Sequence, residues 1–510
     1  MGTETELKFE VSPSDFRKLK TARTLRRRDG MPAKEEYLVS IYFDTDKHEL
    51  RTKGVSLRVR QSGDKRVQTI KTAATDVPFS RSEWNHKIDS DELDFRAARG
   101  TALAPMLTKR LKRQLMPIFE TRILRRTVPF RKGGSRIEMA LDEGQVRAGQ
   151  KWAPITEVEL ELKGGNPADL FKLARVIGGL VPAKLALRSK SERGYDLTAA
   201  KTELAVQGQN IILQRGISTV DAFRIIGRSI LRQLAANEPA VRESDPKGLH
   251  QMRVGLRRLR AAISVFSEFL GDKQTERIKG ELKWLTGKLG PARDLDVMGT
   301  KIKQLRKAAP AKRALKEFSA ELAVQRTNAF AKAKDAVNST RYRSLLLNAL
   351  QWIEAGDWAK QPSIASGHPR IEQFAKDVLT RRSKKAMKKA NECEQLDPHQ
   401  RHKLRIAIKK LRYSTDFFYS LFSGRKMNAH LFGFKDRLKD LQDCLGVLND
   451  IVVRQKLAPK IAVGSERTKR RARTLSAGAA FGREQTEIEP LLKAAAKAAR
   501  KFAHAKRFWT

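Results

Sequence analysis

Four charged side chains near the start of the chain, Glu4, Glu6, Lys8 and Glu10, alternate with Thr5, Leu7 and Phe9. Successive side chains of an extended strand point to opposite faces, so the charged set shares one face and recurs every ~6.6 Å. Carboxylates at that spacing suit a hard divalent cation, and an ammonium beside them suits phosphate oxygens that the cation also touches. The competing reading is a solvated edge strand with a mixed-charge face, and E-x-E-x-K alone does not decide between them.

The elements needed to position such a row follow over residues 1–200. Short alternating runs, Glu36–Thr45, Val55–Gln61, Val67–Lys71, Ser80–Lys87, Glu120–Phe130, Ser135–Glu143 and Ile155–Lys163, are punctuated by Gly54, Ser62-Gly63-Asp64, Lys132-Gly133-Gly134 and Gly164-Gly165. Helices are expected over Ser14–Leu25, Asp94–Leu115 and Pro167–Ile177. Parity places Arg58 with Arg60, Arg81 with Glu83, Ile123 with Arg125, and Glu157 with Glu159 and Glu161. Leu57, Val59, Val158, Leu160 and Leu162 form the apolar alternates. A closed barrel with a charged interior, covered outside by helices and loops, explains a polar face on strand after strand. Such a lumen calls for a highly charged ligand.

These residues carry a resemblance. Glu4-x-Glu6-x-Lys8, Tyr42-Phe43-Asp44-Thr45, Leu57-Arg58-Val59-Arg60, Thr69-Ile70-Lys71, Arg81-x-Glu83-Trp84, Leu141-Asp142-x-Gly144, Glu157-Val158-Glu159 and Ser189-Lys190 resemble, in order, the motifs of the CYTH domain, the triphosphate tunnel metalloenzyme fold. The resemblance implies an eight-stranded antiparallel tunnel that hydrolyses tripolyphosphate to pyrophosphate and phosphate with Mg²⁺ or Mn²⁺. It implies catalytic roles for Glu4, Glu6 and Lys8. The metal ligands implied are Glu4, Glu6, Asp142, Glu157 and Glu159, and the triphosphate contacts are Lys8, Arg58, Arg60, Lys71, Arg81, Arg125 and Lys190. Oxygen donors match hard cations, and guanidinium forks match phosphoryl oxygens. Arg81 with Glu83 reads equally as an ion pair inside the barrel. Two other chemistries of the same tunnel remain open, cyclisation of ATP and hydrolysis of thiamine triphosphate, as does a tunnel that only grips polyphosphate ends.

Beyond a linker at 201–214 the period changes. From Ser218 the apolar residues Val220, Phe223, Ile226, Ile230, Leu231 and Leu234 fall three and four apart, which predicts helices to the end of the chain. The segment repeats itself: His250-Gln-Met-Arg253-Val-Gly-Leu-Arg257-Arg258-Leu-Arg260 aligns with His402-Lys-Leu-Arg405-Ile-Ala-Ile-Lys409-Lys410-Leu-Arg412, and Leu289-Gly-Pro-Ala-Arg-Asp294 with Leu445-Gly-Val-Leu-Asn-Asp450. On each lead helix the His, Arg, Arg or Lys, and Arg form one basic stripe beside an apolar one. This half resembles the CHAD domain, a duplicated helical module associated with inorganic polyphosphate. The resemblance implies polyphosphate binding by His250, Arg253, Arg257, Arg260, His402, Arg405, Lys409 and Arg412. His399 and His402 have no further ligand set at zinc spacing.

The expected whole is an α+β multidomain chain: a tunnel domain over 1–200, then an all-α duplicated bundle over 215–510, divided at about 365. Residues 1–200 carry 40 Lys+Arg against 27 Asp+Glu, and the rest carries 64 against 30, within a net charge of +47. Such a field draws polyanions, and tripolyphosphate and polyphosphate are the expected partners. Nucleic acid is disfavoured, since helix-turn-helix, zinc-finger and RNA-recognition signatures are missing. The basic runs Arg381–Lys385 and Lys469–Arg473 are expected to extend the polyanion surface. With two cysteines, an acidic polar start and no long apolar run, a cytoplasmic protein without a membrane segment is expected, with association to polyphosphate granules.

Overall fold

The computed structural model describes residues 5–22, 25, 33–72, 83–132, 134–198, 204–305, 316–360, 370–422, 424–463, 474 and 484–510. Glu4, Arg81, the start of the expected Ser80–Lys87 strand and the Lys469–Arg473 run lie outside the described residues. The backbone forms two compact units, Met1–Leu204 with Thr340–Gly356, and Ala205–Ser339 with Asp357–Thr510.

In chain order the first unit contains β1 (Thr5–Glu10), α1 (Pro13–Thr21), β2 (Lys34–Asp44), α2 (Glu49–Thr52), β3 (Val55–Ser62), β4 (Lys65–Thr72), β5 (Glu83–Ile88) and α3 (Lys109–Gln114). It continues with β6 (Met116–Lys132), β7 (Ser135–Ala148), β8 (Lys151–Gly164), α4 (Pro167–Leu180), β9 (Lys184–Leu185) and α5 (Lys190–Thr198). The strands form one sheet in the order β5-β4-β3-β2-β6-β7-β8-β1-β9, with antiparallel pairing throughout. Two details differ from the expected barrel. Nine strands are present among the described residues, the ninth of only two residues, and the ladder order is open, ending at β5 and β9.

The sheet nevertheless curls about a lumen. β3 and β8 stand four strands apart, ~19 Å in a flat sheet at ~4.8 Å per strand, yet Arg60 on β3 feels the charge of Glu159 on β8. Curvature is helped where β6 and β7 press together: a Cβ on Gly144 would lie 2.0 Å from the Arg122 carbonyl oxygen. Among the described residues no ladder joins β5 to β9.

The face turned away from the lumen is apolar and covered. Leu57, Val59 and Ile70 pack with Leu103 and Leu111 of the segment after β5, which is built of short turns and α3 rather than one long helix. Leu7, Phe9, Val158 and Leu160 are buried on the side where α4 packs on β8 and β1, and the buried residues of α4 include Leu170, Phe171, Ala174 and Ile177. α4 starts where Asn166 accepts a hydrogen bond from the Ala168 amide and Pro167 presets the first helical φ.

α5 has no counterpart among the expected elements. Ser189 and Glu192 form a reciprocal cap: the Glu192 amide donates to Ser189 Oγ at 3.2 Å and the Ser189 amide to Glu192 Oε2 at 2.7 Å. The helix lies on Phe119, where a Cβ on Gly194 would stand 2.1 Å from the ring. Its Tyr195 hydroxyl donates to the fully buried Asp44 carboxylate at 2.7 Å, which also accepts from the amides of Thr45, Leu50 and Arg51. Asp44 therefore ties the end of β2, the start of α2 and α5 together.

The second unit contains α6 (Thr219–Ala236), α7 (Glu238–Arg242), α8 (Pro246–Val265), α9 (Lys273–Leu305) and α10 (Lys316–Asn338). α11 (Thr340–Ala355) belongs to the first unit, where it packs on α4 and β9. The second unit resumes with α12 (Ile371–Asn391), α13 (Pro398–Phe418), α14 (Arg425–Val463) and α15 (Glu484–Ala503). The sequence repeat is a structural one. α8 and α13 both begin with a capping aspartate followed by proline, Asp245-Pro246 and Asp397-Pro398. Leu249, Met252, Leu256 and Leu259 of one helix and Leu404, Ile408 and Leu411 of the other are buried. Phe223, Phe266, Phe374, Phe418 and Trp358 form an aromatic cluster, with ring centroids as close as 4.9 Å.

Gly194→Ala is expected to destabilise the first unit by about 1–3 kcal/mol, as an overpacked contact does, and Phe119→Leu in the same chain to recover part of the loss. Thermal denaturation of the single and double variants checks this; a Gly194→Ala protein as stable as its parent would contradict the packing of α5 on Phe119.

Candidate active site in the sheet and basic groove in the helices

The strand register gathers the charges. Asp142 on β7 pairs with Glu157 on β8, and Lys8 on β1 with Glu159 on β8. Asp142, Glu157 and Glu159 are buried, and they offer oxygens that all lie within 4.8 Å of one another. Cations surround them. Lys190, from the first turn of α5, places Nζ 2.8 Å from Asp142, 2.7 Å from Glu157 and 2.7 Å from Glu159. Arg125 on β6 forks onto Asp142 at 2.7 and 2.6 Å and reaches Glu159 at 2.5 Å. Lys8 bridges Glu6 at 3.1 Å and Glu159 at 3.0 Å.

Protonation follows from these contacts. Burial alone would raise the carboxyls, but Lys190, Lys8 and Arg125 hold Glu159 well below the ordinary range, and Lys190 with Arg125 lowers Asp142. Burial would likewise discharge Lys190, but the three carboxylates hold its ammonium well above the usual lysine value. Arg60, crowded by burial, Arg58 and Arg125, is lowered to about 10. Between Arg58 and Arg60 lies Tyr42, whose hydroxyl accepts from Arg58 Nη1 at 3.4 Å. Burial works to raise this phenol, and the two guanidiniums outweigh it.

Of the expected site residues, Glu6, Lys8, Arg58, Arg60, Arg125, Asp142, Glu157, Glu159 and Lys190 are drawn together. Lys71 sits in the β4–β5 part of the same face, 2.6 Å from Glu83, which also stands 3.8 Å from Arg58. Glu161 pairs with Lys163 at 2.6 Å. The sequence reading passed over Arg193, which is 2.7 Å from Glu157, and over Tyr195, and it quoted Tyr42 and Asp44 in a motif without giving either a role. Ser189-x-x-Glu192, a capping box, was the available signal for α5. His48 occupies the N-cap position of α2 with φ 53°, and its ring stands 5.2 Å from that of Tyr195.

Three hard oxygen donors converging on a buried point fit a Mg²⁺-type cation, and no nitrogen or sulfur donor joins them among the described residues.

In the second unit α8 and α13 pack together and their stripes converge. Lys409 is crowded by Arg405, Arg257 and Arg253, and His250 by Arg293, Arg257 and Arg253. Arg257 Nε donates to Tyr413 at 3.3 Å, and His402 Nδ1 pairs with Asn449 at 3.1 Å. Arg260 is exposed at the end of its stripe and Arg412 is half-buried. Acidic balance comes from Asp294 beside Arg253 and Asp450 beside Arg405, the motif pair to which the repeat alone assigned no role. Three donors in this groove, Arg253 Nε and Nη1 and Arg405 Nε, are buried without a hydrogen-bond partner. Arg382, in the expected basic run, donates instead to Ser414, Ser264 and the Lys410 carbonyl.

The first unit is a curled antiparallel sheet with a mixed-charge lumen, and the second a duplicated helical bundle with a basic groove. Residues 2–195 match the CYTH domain model and residues 226–459 the CHAD domain model, so the chain carries a CYTH domain followed by a CHAD domain. Over 200 residues, 38% of this chain, it is 32% identical to the inorganic triphosphatase of Haemophilus influenzae; the match spans 55% of that relative's length. The crystal structure of the CHAD domain from the plant Ricinus communis superposes on 59% of this chain and 97% of its own, with 28% identity and a TM-score of 0.51. No helix among the described residues is long and apolar enough to cross a membrane.

Burial with Arg405 and Arg257 brings Lys409 down to about 8. Anion binding to this groove is therefore expected to weaken as pH rises from 7 to 9 and Lys409 loses its proton. Lys409→Arg, charged throughout, should flatten the profile. Calorimetric titration with a polyphosphate at both pH values tests it, and equal slopes for the two proteins would remove Lys409 from the groove.

Proposed function

We propose that the first unit is a metal-dependent triphosphatase that hydrolyses inorganic triphosphate to pyrophosphate and phosphate. The observation that carries this reading is the convergence of Lys8, Arg58, Arg60, Arg125 and Lys190 on the same lumen as Asp142, Glu157 and Glu159. Cations alone would suit a phosphate binder; a buried three-carboxylate cluster among them adds a place for a divalent ion. The activity of the Haemophilus influenzae relative, 32% identical across this region, points the same way.

In this reading Arg58, Arg60, Arg125, Lys8, Lys71 and Lys190 grip the phosphate chain, the guanidiniums by paired N–H donors and the lysines as point charges. Asp142, Glu157 and Glu159, with Glu6 of β1 and the Glu4 that precedes it in sequence, would hold a Mg²⁺ or Mn²⁺ ion, which would supply charge neutralisation at the reacting phosphoryl group. Water attacks the phosphorus, the bridging P–O bond breaks, and the departing oxygen leaves as phosphate or pyrophosphate stabilised by the lysines and arginines. Phosphoryl transfer asks mainly for positioning and electrostatic stabilisation, which this lumen supplies. Tyr42 adds a hydroxyl beside Arg58, within reach of an oxygen that Arg58 holds.

For the second unit the reading is inorganic polyphosphate binding. Support comes from the buried donors of Arg253 and Arg405 that lack partners and from the crowding of Arg257, Arg405 and Lys409. A chain of phosphates provides acceptors for those donors and relieves the repulsion.

Phosphate release from tripolyphosphate, ATP and thiamine triphosphate, with Mg²⁺ and with chelator, tests the first reading. Release is expected from tripolyphosphate only with the metal, and Glu159→Gln or Arg58→Ala should lower kcat/KM by about 10²-fold or more, ~2.7 kcal/mol. Turnover untouched by either change, or by chelator, would refute it. Arg253→Gln with Arg405→Gln should release the protein from a polyphosphate matrix while leaving tripolyphosphate turnover intact.

A further inference from the structure

The point shared by the three lumen carboxylates is filled by the protein's own cation. Lys190 Nζ stands 2.7–2.8 Å from an oxygen of each of Asp142, Glu157 and Glu159. Ions of the Mg²⁺ type take oxygens at ~2.0–2.1 Å in a near-octahedral shell, which brings opposite oxygens to ~4.2 Å. The oxygens would have to close inward on a centre that already holds an ammonium. Two cations cannot share it.

The contacts around the cluster lead to the same place. Four cations touch the three carboxylates, Lys8, Arg125, Lys190 and Arg193, and two of them are shared with further carboxylates, Lys8 with Glu6 and Arg193 with Glu10. A divalent ion reaches the oxygens that Lys190 holds only where that ammonium withdraws. Lys190 is the one of the four with a contact to all three carboxylates. It belongs to the first turn of α5, whose body is held independently by Gly194 on Phe119 and Tyr195 on Asp44, so its side chain can swing while the helix stays in place.

We propose that Lys190 is an internal competitor for the cation position: ammonium and divalent ion occupy the three carboxylates alternately, and a triphosphate resolves the competition by giving the ammonium phosphate oxygens instead. The inference rests on reading the lumen as a metal-dependent triphosphate site. It makes cation and triphosphate bind with positive coupling, each raising the other's affinity by the same factor.

Binding of Mn²⁺ to the full chain, followed by electron paramagnetic resonance without any phosphate present, tests the proposal. If the ammonium leaves the carboxylates free in no more than about a tenth of molecules, removing it tightens Mn²⁺ binding about tenfold or more. Lys190→Met is expected to show that gain and Lys190→Arg to bind as weakly as the parent. Asp142→Asn added to Lys190→Met should abolish the gain, placing the ion at this cluster. Lys190→Gln, closer to lysine in polarity, serves the same comparison where the methionine variant fails to fold. Equal or weaker Mn²⁺ binding in the neutral variants overturns the competition and leaves the triphosphatase reading standing. Failure of the parent and the variants alike to bind Mn²⁺, even with an imido-bridged triphosphate analogue, overturns both.

Discussion

The first unit depends on one constraint: charges turned inward in a sheet must be neutralised by other charges in the same lumen. An ion taken out of water costs several kcal/mol, and only close, well-directed partners offset it. Here the carboxylates stand on β7 and β8, and their partners come from β1, β6 and α5, so the balance holds only while five elements keep their register. A slip of one residue in β8 would turn Glu157 and Glu159 outward and Val158 inward. The apolar outer face, covered by α4 on one side and by the turns and α3 after β5 on the other, opposes that slip with the hydrophobic burial an ordinary sheet finds on its inner face. The two faces enforce one another.

The helical unit meets the same problem with less compensation. Its groove concentrates Arg253, Arg257, Arg293, Arg405 and Lys409, and the acidic residues that temper them include Asp294, Asp450 and Asp296, the last 3.0 Å from Arg293. Burial and the facing carboxylate of Asp450 raise Asp294, while Arg253 and Arg293 pull it down. Arginine keeps its charge under these conditions, whereas burial and the neighbouring guanidiniums leave His250 at about 4, neutral near pH 7. His250 therefore adds no charge to the groove near pH 7, and the arginines carry its field.

Much of this was legible in the sequence for a physical reason. Strand parity is a period of two, so Arg58 with Arg60, and Glu157 with Glu159, had to share a face once the strands were granted. The helical repeat likewise had to stack His250, Arg253 and Arg257 on one side of α8. What parity cannot give is the number of ladders, because β9 is two residues long and carries no period. Nor can it reveal α5, nine residues in which Gly194 and Tyr195 matter through Phe119 and Asp44, each distant in sequence. Arg193 escaped for the same reason, since its partner Glu157 is 36 residues away and only the packed helix brings them together.

The repeat also separates what duplication preserves from what it lets drift. Asp245-Pro246 and Asp397-Pro398 keep the helix start, and the stripe keeps its spacing, so the backbone delivers a cation to equivalent places in each copy. Identity drifts at Arg257 and Lys409. The guanidinium has a directional partner in Tyr413 and can still present a planar fork. An ammonium in the matching place has no fork, and burial with the guanidiniums around it brings it to about 8. Two copies with the same geometry thus differ in how they respond to their surroundings: one side of the groove presents a guanidinium, and the other an ammonium whose charge is lost as pH rises through about 8.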